Sequence, residues 1–237
     1  MLTDAHDSLK KYFHKANFIT KSKTDRRTDI IVTYIDGAGK SGSYYAPKYC
    51  RENSLSTKSN TEIENINNRL RKAIDDSTPL SGIVIIDDFI GTGNSISTDM
   101  KTFIDSNLKE LTILKIPIKV VVLFSTQEGE EKIRSSFSQL NYDDIDLYIC
   151  EILDKKHYAF AETSSIWNTS EEGIKAKQVC QDYGSKLSKS APLGYGNQGL
   201  LLVFPRNSPN NSLTILHAKK NKSGFTWNPL FERSISS

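Results

Sequence analysis

Four runs of aliphatic and β-branched residues recur along this chain, and a segment of helical spacing separates each from the next; no other feature limits the fold as much. The runs are Asp29-Ile-Ile-Val-Thr-Tyr-Ile35, Gly82-Ile-Val-Ile-Ile-Asp87, Lys119-Val-Val-Val-Leu-Phe124 and Ile145-Asp-Leu-Tyr-Ile-Cys150. The first three are close to continuously apolar, the pattern of strands buried on both faces rather than on one. Between them, Ile63, Ile66, Leu70 and Ile74 fall on one helical face, as do Met100, Phe103, Ile104 and Leu108, and then Ile133, Phe137 and Leu140. A further short helix is expected from Ser43. Strands alternating with amphipathic helices predict an α/β fold: a Rossmann-like parallel sheet flanked by helices, joined by right-handed crossovers.

The rhythm changes at both ends. Residues 1–28 read as an N-terminal helical segment, with Leu9, Tyr12, Phe13 and Ala16 at helical spacing ahead of a basic connector. Residues 29–155 are the α/β core. Residues 156–237 read as an extension packed on that core: a helix through Ala176, Val179, Cys180, Tyr183 and Leu187, then a β-hairpin. Its strands would be 199–204 and 212–217, around the Pro- and Asn-rich turn Pro205 to Asn211. Trp227 and Phe231 are expected to pack against the body.

Composition removes several function classes. The chain has 237 residues, 37% hydrophobic and 25% charged, with a net charge of +3, a profile of a globular domain and too mild a charge to argue for nucleic acid. Its three cysteines, Cys50, Cys150 and Cys180, are widely spaced, so neither a zinc motif nor a disulfide framework is indicated and a cytoplasmic protein is expected. No membrane partner is expected, since no run of sequence has the length of a span. The histidines His6, His14, His157 and His217 lie in no motif.

The strongest local signal is Ile83-Val-Ile-Ile-Asp-Asp-Phe-Ile-Gly-Thr-Gly-Asn-Ser-Ile96. An aliphatic strand ends at two carboxylates, Asp87 and Asp88, and a turn of Gly91, Thr92, Gly93, Asn94 and Ser95 opens a helix. Open α/β sheets bind ligands at the carboxyl ends of their strands. Glycines let backbone N–H groups converge on an anion, hydroxyls add donors, and the helix N-terminus adds a favourable dipole. The turn is a phosphate cradle. The carboxylates would repel a phosphate, so they suit sugar hydroxyls instead. A strand-to-helix turn with no ligand is the plain structural reading of the same residues.

This segment resembles the phosphoribosyl-pyrophosphate (PRPP) loop of type I phosphoribosyltransferases. The resemblance implies that Asp87 and Asp88 are the catalytic acid pair that holds the ribose 2′- and 3′-hydroxyls. It implies that Thr92, Gly93 and Ser95, with Gly91 and Asn94, hold the 5′-phosphate. Gly91 stands where the family often has threonine, and Asn94 where it often has glycine.

After the first strand, Asp36-Gly-Ala-Gly-Lys-Ser-Gly42 invites a nucleotide P-loop reading, but the glycine required before the Gly-Lys-Ser is replaced by Tyr34 within the strand. The family resemblance offers another role. Gly37, Ala38, Gly39, Lys40, Ser41 and Gly42 match the loop that contacts the pyrophosphate of PRPP, with Mg2+ carried on that pyrophosphate and keeping its waters.

Asp36–Gly42, the Tyr195-Gly-Asn-Gln-Gly199 stretch and Trp227-Asn-Pro-Leu-Phe-Glu-Arg233 together resemble bacterial phosphoribosyltransferase-like proteins of anti-phage conflict systems, retron-type systems included. That resemblance implies a toxic effector acting at ribose C1 on PRPP or a nucleotide, or a non-catalytic module that senses such a ligand. Partners such as a reverse transcriptase and its DNA are implied on the same ground, and an oligomer is left open. Asn207, Asn210 and Asn211 would then cover the site or bind a base, against the plain reading of an Asn/Pro turn; Arg206 and Arg233 have the same two readings, phosphate contact or surface.

Overall fold

The computed structural model describes residues 27–35, 42–161, 166–204, 208–219 and 224–233. The expected N-terminal helix lies outside these residues. The chain divides after Ile152 into two compact units, residues 1–152 and 153–237.

The first unit is built on four strands: β1 (Ile30–Thr33), β2 (Gly82–Ile90), β3 (Ile118–Thr126) and β4 (Ile145–Leu153). They lie side by side in chain order. β1 pairs parallel with β2 from Ile30↔Gly82 to Thr33↔Ile85, and β2 with β3 from Ile83↔Ile118 to Ile90↔Ser125. The connecting helices are α1 (Gly42–Glu52) and α2 (Ile66–Asp75), then α3 (Asn94–Leu114) and α4 (Gln127–Phe137). The parallel sheet flanked by helices is the fold expected.

Strand order decides where the helices go. When every parallel step moves the same way along a sheet, crossovers of one hand all fall on one face. α2, α3 and α4 obey this: Ile66, Leu70, Ile96, Met100, Phe103, Ile104, Leu111 and Ile133 pack on Ile31, Ile83, Ile85, Val120 and Val122. The opposite face is taken by α1, whose Ala46, Tyr49 and Cys50 cover Ile30, Val32, Val84, Ile86 and Val121. The central aliphatics are fully buried, which at about 1.5–3 kcal/mol per side chain makes this sheet the main source of the unit's stability.

The polar stretch after α1 is more ordered than its composition suggests. It runs beside the outer edge of β1, bridging Arg27↔Leu55 and Val32↔Asn60 in parallel. The Arg69 guanidinium clamps it, donating to the carbonyls of Thr28, Lys58 and Ser59 and to the Thr61 hydroxyl. An exposed sheet edge is thereby covered.

The second unit carries α5 (Ser170–Leu187) and the short α6 (Thr214–His217). The expected hairpin does not form. Residues 201–204 are not in a strand, Leu200 bridges Tyr158 antiparallel and Ser212 in parallel, and the second expected strand ends in α6. Leu213, Leu216 and His217 sit three and four residues apart, so the segment serves a helical turn as well as a strand. Asn211, buried, donates from its side-chain amide to Gln198 Oε1 at 2.9 Å and to the Tyr195 carbonyl at 3.3 Å, which fits the turn reading. Trp227 packs on Tyr183 and donates to the Ile215 carbonyl. Arg206 and Asn207 lie outside the described residues. Among the described residues, no helix is long and apolar enough to cross a membrane.

Candidate functional site at the carboxyl edge of the sheet

β2 outruns its neighbour. β1 ends at Thr33, opposite Ile85, while β2 continues to Ile90. The acid pair therefore lies in the part of β2 beyond the paired end of β1. Asp87 pairs in register with Val122 and shares the face of α2–α4; Asp88 follows Val84 and Ile86 onto the face of α1. Asp88 is buried, and its backbone N–H donates to Asp87 Oδ1 at 2.8 Å.

Tyr45 of α1 senses Asp88. Burial pushes its phenol up, and the charges of Asp88 and then of Tyr44 add to the effect. Tyr44 and Tyr45 meet edge to face at 5.1 Å between ring centres. The first turn of α1 thus sets the Tyr45 ring near the acid on that face, with the exposed Tyr44 ring against it. The sequence reading missed both, although Ser43-Tyr-Tyr-Ala46 directly follows the glycine-rich loop it singled out.

The turn at residues 91–93 is held from below. Thr126, at the end of β3, donates its hydroxyl to the Gly91 carbonyl and accepts from the Gly129 N–H at 2.9 Å. Ser125 donates to the Ile90 carbonyl at 3.4 Å and to that of Thr126 at 2.9 Å. The carbonyls are thereby drawn toward β3 and α4. The N–H groups of Thr92, Gly93, Asn94 and Ser95 find no acceptor among the described residues. Gly93 adopts φ 76°, a conformation that glycine takes without penalty, and it begins α3 without a side-chain cap. Donors that a cap would satisfy are left at a helix N-terminus, which favours an anion. Ser97, just inside α3, adds a buried hydroxyl with no partner among the described residues.

Gly129 makes this close packing possible. A Cβ there would meet the Gly91 carbonyl oxygen at 2.4 Å and Ile90 Cγ2 at 2.7 Å. Thr126, Ser125 and Gly129 form the support of the turn, and the sequence reading missed them. A glycine in the first turn of α4, in an otherwise charged segment, was the available signal.

Of the sequence-predicted residues, the structure brings together Asp87, Asp88, Gly91, Thr92, Gly93, Asn94 and Ser95. Gly42 opens α1 and is buried. Gly37, Ala38, Gly39, Lys40 and Ser41 lie outside the described residues. Among the described residues there is no cluster of three or more His, Cys, Asp or Glu side chains able to hold a metal.

A comparison with family models matches residues 1–233 to the family described as PRTase-CE. The chain belongs to the PRTase-CE family. It is a phosphoribosyltransferase-like protein, as the acid pair and glycine turn lead one to expect. No curated protein matches this PRTase-CE chain significantly. Among solved structures it is similar to the AQ2163 protein from Aquifex aeolicus, at 13% identity and a TM-score of 0.32. The match covers 55% of this chain and 59% of that one.

Proposed function

We propose that this PRTase-CE protein binds PRPP or a ribose-phosphate nucleotide at the carboxyl edge of β2, and acts at ribose C1 as the effector of a bacterial anti-phage defence system. The observation that carries the reading is the turn after β2: the carbonyls of Ile90 and Gly91 are tied back, while the N–H groups of Thr92, Gly93, Asn94 and Ser95 have no acceptor among the described residues, just beyond the acid pair. A phosphate takes the N–H groups and the α3 N-terminus; the carboxylates of Asp87 and Asp88 accept from the ribose hydroxyls.

Cleavage at C1 needs a positioned sugar and a stabilised leaving group more than a strong nucleophile. The bond from C1 to its leaving group breaks, the electron pair departs with that group, the ring carries an oxocarbenium-like charge near the carboxylates, and an acceptor base nitrogen or water oxygen forms the new bond to C1 and releases its proton to solvent. With PRPP, pyrophosphate leaves with the Mg2+ it brought, and residues 37–42 receive it. A second reading is a non-catalytic module that senses PRPP or a nucleotide within a larger defence complex. Gly91 and Asn94, which depart from the phosphoribosyltransferase pattern, favour it.

Calorimetric titration of PRPP with Mg2+ into the protein and into the Asp87→Asn/Asp88→Asn double variant tests the site: binding should be lost in the variant. Equal binding by both removes the proposed site. Induced expression in a bacterium then separates the two readings. Growth arrest by the wild type alone supports an effector; growth unaffected by either, with binding intact, supports the sensor.

A further inference from the structure

On the sheet face away from α1, a cavity of about 350 Å³ opens between α2 and α3. Ile35, Ile63 and Phe103 line it with apolar surface. Its polar lining is richer in acceptors than in free donors. The Asn67 side-chain amide already donates to Asn107 Oδ1 at 3.1 Å and to the Ser106 carbonyl at 3.4 Å. Asn107 donates to the Phe103 carbonyl at 2.8 Å, and the Thr102 hydroxyl to the Thr98 carbonyl at 3.1 Å. The Asn67 amide and the Thr102 hydroxyl are thus engaged within the protein and the Ser106 hydroxyl can donate or accept, while Asn67 Oδ1 and the carboxylates of Glu64 and Asp99 remain as acceptors.

The two carboxylates are also uncompensated. Among the described residues neither takes part in an ion pair; nearby Arg71 is bound to Glu110 and Lys101 to Asp105. An apolar wall, acceptors in excess and two negative charges call for a ligand that brings donors, positive charge and a hydrocarbon stem. We propose that this cavity binds an alkyl guanidinium or alkyl ammonium group. Its stem lies along Phe103, Ile35 and Ile63, and its head donates to Glu64, Asp99 and Asn67. The site is independent of the ribose-phosphate reading, since it shares no residue with it.

The test uses nitrogen-15 spectra of the full chain titrated with n-butylguanidinium. Resonances of residues 35, 63–67 and 99–107 should shift saturably, and n-butyramide, which lacks the charge, should not reproduce the shifts. Glu64→Gln and Asp99→Asn should each weaken binding roughly three- to five-fold, the effect of a solvent-accessible ion pair. Both side chains are peripheral to the core, so both variants should keep the wild-type melting temperature. N-acetylarginine amide distinguishes the source: tighter binding than n-butylguanidinium assigns the site to an arginine of a partner protein, weaker binding to a free small cation. Equal affinity of the wild type and the Glu64→Gln/Asp99→Asn double variant, or equal shifts with n-butyramide, overturns the proposal.

Discussion

Gly129→Ala is the substitution that most sharply separates support of the turn at residues 91–93, the proposed phosphate site, from support of the fold. The new methyl would stand 2.4 Å from the Gly91 carbonyl oxygen, 2.7 Å from Ile90 Cγ2 and 2.9 Å from the Ile90 carbonyl oxygen. Ordinary contact begins at 3.4 Å, so the backbone of the turn or of α4 must retreat by about 1 Å. Two of the three opposing atoms are backbone, and Thr126 ties the Gly91 carbonyl in place, so no side-chain rotation relieves the clash. Overpacking costs roughly 1–3 kcal/mol. Alanine in a helix returns about 1 kcal/mol relative to glycine. The net loss of about 0–2 kcal/mol lowers the melting temperature by at most about 8 °C in a unit of this size. Binding at the proposed anion site suffers more: a shift of about 1 Å takes N–H donors out of hydrogen-bond range, and losing two charge-assisted bonds of about 1.5 kcal/mol each is a loss on the order of 100-fold. Calorimetry with ribose 5-phosphate should show that loss while thermal unfolding stays cooperative. Gly173→Ala in α5 is the comparison, since its methyl meets only the Trp167 side chain, at 3.2 Å, and binding should be unchanged. Wild-type affinity in Gly129→Ala would refute the claim that this glycine sets the position of the turn.

Lys119 is 5% exposed and pairs with Asp146, which is 40% exposed. Asp146→Asn should cost about 1–2 kcal/mol in urea unfolding, because it takes a half-exposed carboxylate away from a buried ammonium, whereas Lys119→Met should be nearly neutral; equal losses would show that the charge is not what matters. In the second unit, burial and then the Arg233 charge hold the His217 imidazole below its ordinary value of 6.5, against an opposing hydrogen bond to the Ser212 backbone. The unfolded chain then takes up the proton first, so this contribution is intact above pH 6.5 and lost as the pH falls through the lower folded value. His217→Gln should flatten the fall of stability below that pH, and an unchanged slope would exclude the residue.

The parts of this protein that were legible in its sequence are those written in local periodicity. Ile83 to Ile86 could only be a strand buried on both sides, and Leu70, Met100 and Ile133 lay on helical faces that the sheet then covered. The acid pair and the glycine turn were legible because their order along the chain is also their order in space. What failed was long-range or ambiguous. Nothing local in residues 58–61 shows that they line the edge of β1, because Arg69, which fastens them there, lies in another element. Ser125, Thr126 and Gly129 support the turn from the next strand and helix, where nothing in the local pattern points back to Gly91. Residues 212–217 have a composition that suits a strand and a spacing that suits a helix, and α6 formed where the side chains at 213 and 217 could be buried.

The central claim is that Asp87 and Asp88 read a ribose diol while the turn at residues 91–95 reads its phosphate. Competitive calorimetry of ribose 5-phosphate against 2-deoxyribose 5-phosphate, in the wild type and in Asp87→Asn and Asp88→Asn separately, tests both halves. A hydrogen bond to a carboxylate is worth about 1.5–3 kcal/mol, so the deoxy sugar should bind at least about ten-fold more weakly to the wild type. In one of the two variants that gap should close while phosphate-dependent binding persists. Equal affinity of the two sugars for the wild type, or a gap that survives in both variants, would contradict the assignment.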